Sequence, residues 1–128
     1  MLKIISKENL ATFIVENEIA LIPTHAKLSL PIINRMYRKM SAGIRFPAIK
    51  VEGRLICDGH HRYLASLLAK FPLERIPGMI TSATSGVQWT SVCFEETDWD
   101  TSEEINFLNA QDAEYNNIDI AELAVLLQ

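Results

Sequence analysis

The fold is decided by residues 46–70, FPAIKVEGRLICDGHHRYLASLLAK. Two apolar runs lie on either side of Gly53, and glycine supplies the positive φ that a tight hairpin turn needs. The second run stops at Asp58-Gly59, after which leucines and alanines recur at helical spacing. This stretch therefore predicts a β-hairpin followed at once by a helix from His60 to Lys70.

Weaker patterns on either side predict the remaining elements. Helix starts are indicated by Ser6 as an N-cap and by two capping-box patterns, Thr101-x-x-Glu104 and Asp119-x-x-Glu122. Helices are predicted over residues 7–18, 31–42 and 60–70 and after residues 101 and 119. Strands are predicted over residues 19–24, 46–51, 54–57, 76–80 and 87–94. The strand over residues 76–80 is expected at a sheet edge because it contains a proline.

These elements predict an α/β fold of the α+β kind, a short mixed sheet flanked by helices. Residues 1–85 are predicted to form the core, including the N-terminal helix, and residues 86–128 an acidic helical extension packed on the same domain. The 128 residues, of which 48% are hydrophobic, fit one globular domain. The longest uncharged apolar run, near Ile19 to Pro23, is too short to span a membrane, and the N-terminal sequence lacks secretory features. The expectation is a cytoplasmic protein.

Charge is divided unevenly along the chain. All 12 lysines and arginines lie at or before Arg75, where the segment has a net charge of +6, and the remaining 53 residues have a net charge of −10. Two explanations stay open: an anion-binding part beside an acidic partner surface, or two parts that neutralise each other in the fold. On the predicted helix 31–42, Arg35, Arg38 and Lys39 share one face, which we expect to be solvated.

Chemistry is predicted at Asp58-Gly59-His60-His61-Arg62, where a buried strand meets the start of a helix. The free amides and the positive dipole end of such a helix attract anions, and an arginine can grip two phosphate oxygens at once. Histidine acts as an acid or base near neutral pH, and a carboxylate holds a metal ion or accepts a proton. The alternatives are that Asp58 only caps the helix and that one histidine is structural.

The stretch quoted above resembles the signature of the ParB/sulfiredoxin superfamily, through its hairpin, its DGHHRYLA turn and the helix that follows. The resemblance runs from about Ile19 to Ile80 and leaves the chain after residue 85 outside. It implies binding of nucleotide or nucleic-acid phosphate by Gly59, His61 and Arg62. Members differ in activity, and they include CTP-binding clamps, nucleases, sulfinic-acid reductases and free-serine kinases.

This sequence departs from the patterns of three of those members, namely the sulfinic-acid reductases, the kinases and the clamps. His60 stands where the sulfiredoxin motif has a cysteine, which argues against sulfinic-acid reduction. Residues 23–26 hold His25 where kinase-like members have a catalytic glutamate. The tail after Arg75 is too acidic for the DNA-binding domain of a partition clamp.

Two functions from different classes are therefore expected. In the first, a phosphoester hydrolase of the nuclease or nucleotidase type uses Asp58, His60, His61 and His25 as catalytic residues, with Asp58 as a ligand of Mg²⁺ and a nucleotide as the bound cofactor or substrate. In the second, a catalytically silent module, such as an immunity protein or antitoxin, binds a basic partner. The residues predicted to contact that partner are Glu95, Glu96, Asp98, Trp99 and Asp100, which are equally typical of a solvated acidic loop.

Overall fold

The computed structural model describes residues 3–128, which contain five α-helices and five short strands. In chain order they are α1 (Lys7–Glu16), β1 (Lys27–Ser29), α2 (Leu30–Ser41), β2 (Ile49–Glu52), β3 (Leu55–Asp58), α3 (His60–Ala69), β4 (Arg75–Pro77), β5 (Cys93–Glu95), α4 (Ser102–Tyr115) and α5 (Ile120–Leu126), with a 3-10 turn at Trp89–Ser91 before β5. The strands form a short mixed sheet of three strands and a separate pair, so the predicted α+β class is confirmed.

The hairpin and the helix after it are confirmed. β2 and β3 are antiparallel, and Gly53 in the turn between them has a φ of 59°. β4 lies parallel to β2 at the edge of the order β3-β2-β4, as the proline in this strand predicts, but it ends at Pro77, so the strand predicted over residues 76–80 is wrong in extent. α3 ends where Lys70 adopts a left-handed conformation, just before Pro72.

The other two strand predictions are wrong in extent. Residues 19–24 form only an isolated bridge, from Ile22 to Leu55, because the amide of Thr24, which would continue the ladder towards β3, donates to Nε2 of His60 instead. The strand in this part of the chain is β1, three residues further on, and it pairs in parallel with β5. The predicted strand over residues 87–94 is mostly the 3-10 turn, which buries Trp89 so that its indole Nε1 donates to the carbonyl of Leu21 at 2.8 Å.

One apolar cluster forms the main core. It packs α2 against α3 and the inner face of the sheet, with fully buried side chains from six elements: Leu10, Leu28, Ile33, Ile49, Ile56 and Leu64. Trp89, Val92 and Phe94 join the same cluster, so the segment after residue 85 contributes directly to the core. A second, smaller cluster forms around Ile44, Ala113 and Leu123, where α4 and α5 meet the chain after α2.

The basic face of α2 is not solvated as predicted, because the acidic part of the chain packs on it. Lys39 is buried and its Nζ lies 2.7 Å from Asp112 of α4, while Arg35 pairs with both Asp98 and Asp100. Of the three cations, only Arg38 is exposed. The two oppositely charged parts of the chain therefore neutralise each other at least at these contacts.

All three predicted helix starts agree with the structure, but the predicted capping hydrogen bonds form at only two of them. Ser6 caps α1, and the Thr101–Glu104 capping box is formed with both of its hydrogen bonds. Asp119 is the N-cap of α5, but its side chain makes no capping hydrogen bond, so the second predicted box is wrong. No helix within residues 3–128 is long and apolar enough to cross a membrane.

Candidate phosphate-binding site

The turn between β3 and α3 requires a glycine. Gly59 has a φ of 95°, a left-handed conformation that residues with side chains rarely adopt. A Cβ atom at this position would lie 2.6 Å from Cγ2 of Ile49 and 2.9 Å from Nη2 of Arg62. The turn therefore packs directly against the sheet on one side and against the guanidinium of Arg62 on the other.

No side chain caps the N-terminus of α3. The first backbone hydrogen bond of the helix runs from the amide of Tyr63 to the carbonyl of Gly59 at 2.8 Å, and the amides of residues 60–62 precede it. The alternative in which Asp58 caps the helix is wrong, since its carboxylate is 64% exposed and lies 3.8 Å from Nη2 of Arg62 instead. The first turn also contains no acidic residue.

His60 is buried and holds the chain that enters β1. Its Nε2 accepts a hydrogen bond from the amide of Thr24 at 2.9 Å, so the proton of the neutral ring lies on Nδ1. The ring stacks on that of His25, with centroids 4.1 Å apart. Burial lowers the pKa of His60 to about 4, and repulsion from His25 and His61 acts in the same direction, against a smaller opposing effect of Asp58.

His61 makes the equivalent contact at the other end of the same segment. Its Nε2 accepts from the amide of Ser29 at 2.9 Å, and its ring meets the edge of Trp99 at 5.4 Å. Burial lowers its pKa to about 4, an effect that the negative charge of Asp100 partly opposes. Both imidazoles are therefore neutral at pH 7, and neither Nε2 can take a proton while its amide bond is intact.

Arg62 is the cation of this turn. Its Nη2 donates to the carbonyl of Ala48 at 3.1 Å, and its Nε is buried without a hydrogen-bond partner in residues 3–128. The guanidinium lies over Gly59, with Nη2 2.9 Å and Cζ 3.2 Å from the place where a Cβ on this residue would stand. The fold therefore brings together six of the predicted site residues: His25, Asp58, Gly59, His60, His61 and Arg62.

A cavity of about 310 Å³ adjoins this cluster on the side of His25. Thr24, before β1, and Cys57, in β3, line one side of it, and Met79 and Thr84 line it from the loop after β4. Sequence reasoning missed Thr24 and Ser29, whose amides hold the two histidines, because backbone donors more than 30 residues away leave no local signal. Cys57 did carry a signal, since it lies one residue before Asp58 in the sequence.

Most of the acidic segment predicted to bind a partner is used inside the chain. Asp98 and Asp100 pair with Arg35, which holds the pKa of Asp98 below its usual range. Glu95 accepts from Nε1 of Trp99 at 2.8 Å and lies 3.8 Å from Nζ of Lys27. Glu96 is exposed, without an ion-pair partner in the described chain. Partner binding by this segment stays a prediction, and it would have to use charges that are largely neutralised.

Asp58 is the candidate metal ligand of the cluster. Within residues 3–128, no three His, Cys, Asp or Glu side chains are gathered closely enough to hold a metal ion. One exposed carboxylate suits Mg²⁺ only together with phosphate oxygens and water, which is how this ion commonly binds in phosphate-processing sites.

Comparison of the chain with models of protein families, with curated proteins and with solved structures finds no match in any of the three. The resemblance to the ParB/sulfiredoxin superfamily therefore stays a prediction.

Proposed function

We propose that this domain binds the phosphate of a nucleotide or nucleic acid at the N-terminus of α3 and that it hydrolyses a phosphate ester there. The observation that carries the proposal is the uncapped first turn after Gly59, which has no acidic residue and has the guanidinium of Arg62 over it. Free amides at the positive end of a helix dipole, with an arginine beside them, form the ordinary elements of a phosphate site.

The histidines support this proposal as neutral hydrogen-bond donors, and not as cations. Because burial holds the pKa of both near 4, they do not repel the helix dipole at pH 7, and Arg62 is the only cation of the turn. With Nε2 of each ring accepting a backbone amide, Nδ1–H is the donor that each ring offers to a ligand. His60 and His61 would bind or orient phosphate oxygens rather than act as bases.

Asp58 and His25 are the exposed groups for the hydrolytic step. The oxygen of water would form a bond to phosphorus as the ester P–O bond breaks, with Asp58 accepting the proton of the water and His25 returning one to the leaving oxygen. Mg²⁺ bound jointly by Asp58 and the ligand would neutralise phosphate charge.

The test is calorimetric binding of ATP, CTP and a single-stranded oligonucleotide, each with Mg²⁺, together with assay of released phosphate or cleaved strand. Binding is expected to raise the melting temperature by mass action. Arg62→Lys keeps the charge but loses the two-pronged contact, and it is expected to weaken binding about tenfold, an amount typical of one charge-assisted hydrogen bond. Arg54→Lys, on the exposed hairpin turn, is the matched control and should bind normally.

Asp58→Asn separates the two halves of the proposal. It is expected to retain ligand binding while the release of product is lost. Failure of all three ligands to bind, or equal binding by the Arg62 and Arg54 variants, would show that the turn is not a phosphate site. If the unaltered chain binds a ligand but releases no product, the phosphate site would be supported and hydrolysis would be excluded.

A further inference from the structure

A cavity of about 1020 Å³ lies between the segment before α1, one face of α2 and the end of α5. A cavity of this size can enclose an organic ligand. The residues that line it from α2 recur at helical spacing, so they share a face, and that face is not the one on which Ile33 and Met40 are buried. The α2 residues on the cavity side include Pro31, Asn34, Arg35, Arg38, Ser41 and Ala42.

Apolar side chains form the two walls beside α2, and contacts within the chain hold both walls in place. The side-chain amide of Asn34 accepts from the backbone N–H of Ile5 at 2.7 Å and donates to its carbonyl at 2.9 Å, which fixes the segment before α1. On the other side, Leu127 packs against the smaller core cluster. Ile4, 79% exposed, and Leu126, 47% exposed, still line the cavity without being covered.

The charged side chains of this cavity are mostly cationic. Lys3, Arg35 and Arg38 line it, whereas Glu96 is the one carboxylate side chain among the lining residues that the structure describes. Arg35 is already paired with two aspartates of the acidic segment. Lys3 and Arg38 are exposed and have no ion-pair partner in the described chain. The cavity therefore offers two free cations beside uncovered apolar side chains.

We propose that this cavity binds a small amphipathic anion, in which an alkyl or aryl body ends in a carboxylate or phosphate group. The body would cover Ile4 and Leu126, and the anionic group would pair with Arg38, whose guanidinium can hold two oxygens at once. Lys3 would add attraction. An apolar ligand with a cationic end would be repelled by these side chains, and a neutral one would leave both cations without a partner. This site is separate from the turn before α3, since neither Gly59 nor Arg62 lines the cavity.

The experiment is calorimetric titration of the full chain with decanoate, below the concentration at which it forms micelles. Acetate has the same anionic group without the alkyl body, and decyltrimethylammonium has the same alkyl body with the opposite charge. Only decanoate is expected to bind, and added salt should weaken its binding.

Two pairs of variants assign the binding to this cavity. Arg38→Gln should weaken decanoate binding about fivefold, the upper end for an exposed ion pair, whereas Arg54→Gln, at an exposed arginine outside the cavity, should bind normally. Leu126→Ala should weaken it at least threefold through lost apolar contact. Val125→Ala is the matched control, since Val125 precedes Leu126 on the same helix, is 65% exposed and does not line the cavity.

Four results would overturn the proposal. Decanoate that does not bind leaves the cavity without this ligand, and equal binding of decyltrimethylammonium removes the selection by charge. Equal losses within either pair of variants would place the ligand elsewhere on the chain. Self-association that Leu126→Ala abolishes, as seen by light scattering, would make a second copy the occupant. The phosphate site is tested separately, because Arg62→Lys should leave decanoate binding unchanged and Arg38→Gln should leave nucleotide binding unchanged.

Discussion

α3 and α5 distribute their side chains in opposite ways. The first turn of α3 places two imidazoles and most of a guanidinium inside the protein, whereas α5 leaves three large apolar side chains in water. Buried polar groups and clustered exposed apolar groups are the two arrangements that need an explanation, since scattered exposed apolar atoms are ordinary.

Contacts within the chain explain the buried polar groups of α3, but they do not explain the exposed apolar side chains of α5. His60 and His61 each accept a backbone amide, so their burial is largely offset by hydrogen bonds that fix residues 24–29 against the helix. Within residues 3–128, Ile120 stays 53%, Val125 65% and Leu126 47% exposed. The polar groups at the start of α3 therefore have their partners within the chain, whereas the apolar side chains of α5 are only partly covered by it.

The largest effect is expected at the turn that begins α3. Gly59→Ala adds a Cβ in a left-handed conformation and within 2.6 Å of Ile49, so we expect a loss of about 4 kcal/mol in the free energy of unfolding, from strain and overpacking together. Gly43→Ala is the control, because Gly43 has a φ of 89° with nothing within 4 Å of the added carbon. Its cost should be the strain alone, about 1–2 kcal/mol. Equal losses in urea unfolding would contradict the close packing of the Gly59 turn.

Acid should break the contacts of the two histidines. Their folded pKa of about 4 lies below the value of 6.5 for a free imidazole, so the unfolded chain binds more protons between these values and stability falls as the pH falls through this window. We expect a loss of about 3 kcal/mol between pH 7 and pH 5 for the pair, less than full burial would give because His61 is partly exposed.

The pH effect is tested by urea unfolding at the two pH values. Replacing both His60 and His61 by glutamine, whose amide oxygen can accept the same backbone N–H but does not titrate in this range, should remove most of the difference. His25→Gln is the control, since the His25 ring is exposed and accepts no backbone amide in the described chain. A double variant with the same pH dependence as the unaltered chain would assign the loss to carboxylates.

The sequence predicted the hairpin and α3 because their contacts are local. Gly53, Gly59 and Pro72 mark the turns within a stretch of about 25 residues, so neighbouring side chains determine each element. The pairing of β1 with β5 joins residues more than 60 positions apart, and strands of three residues have too short a pattern to be recognised. The strand predicted at residues 19–24 was wrong because apolar composition there reflects burial beside the sheet, not a place in it.

The candidate site was predicted in its residues but not in its chemistry. Consecutive positions place His60, His61 and Arg62 on the first turn of one helix, whereas the protonation of the two histidines depends on the amides of Thr24 and Ser29, which only the tertiary fold supplies. The uneven charge likewise predicted neutralisation as one outcome, but not that Lys39 would be buried against Asp112. Both the protonation of the histidines and the burial of Lys39 depend on residues far away in the sequence, which a single sequence does not reveal.

The smallest effect is expected on α5, where the contrast with α3 is sharpest. Val125→Ser should change the free energy of unfolding by less than about 0.5 kcal/mol, because the side chain is exposed and serine and valine have similar helix propensities. Leu123→Ala, two residues away, removes the buried anchor of the same helix and should cost about 2–3 kcal/mol. A large loss for Val125→Ser would mean that the exposed side chain already packs within the free chain.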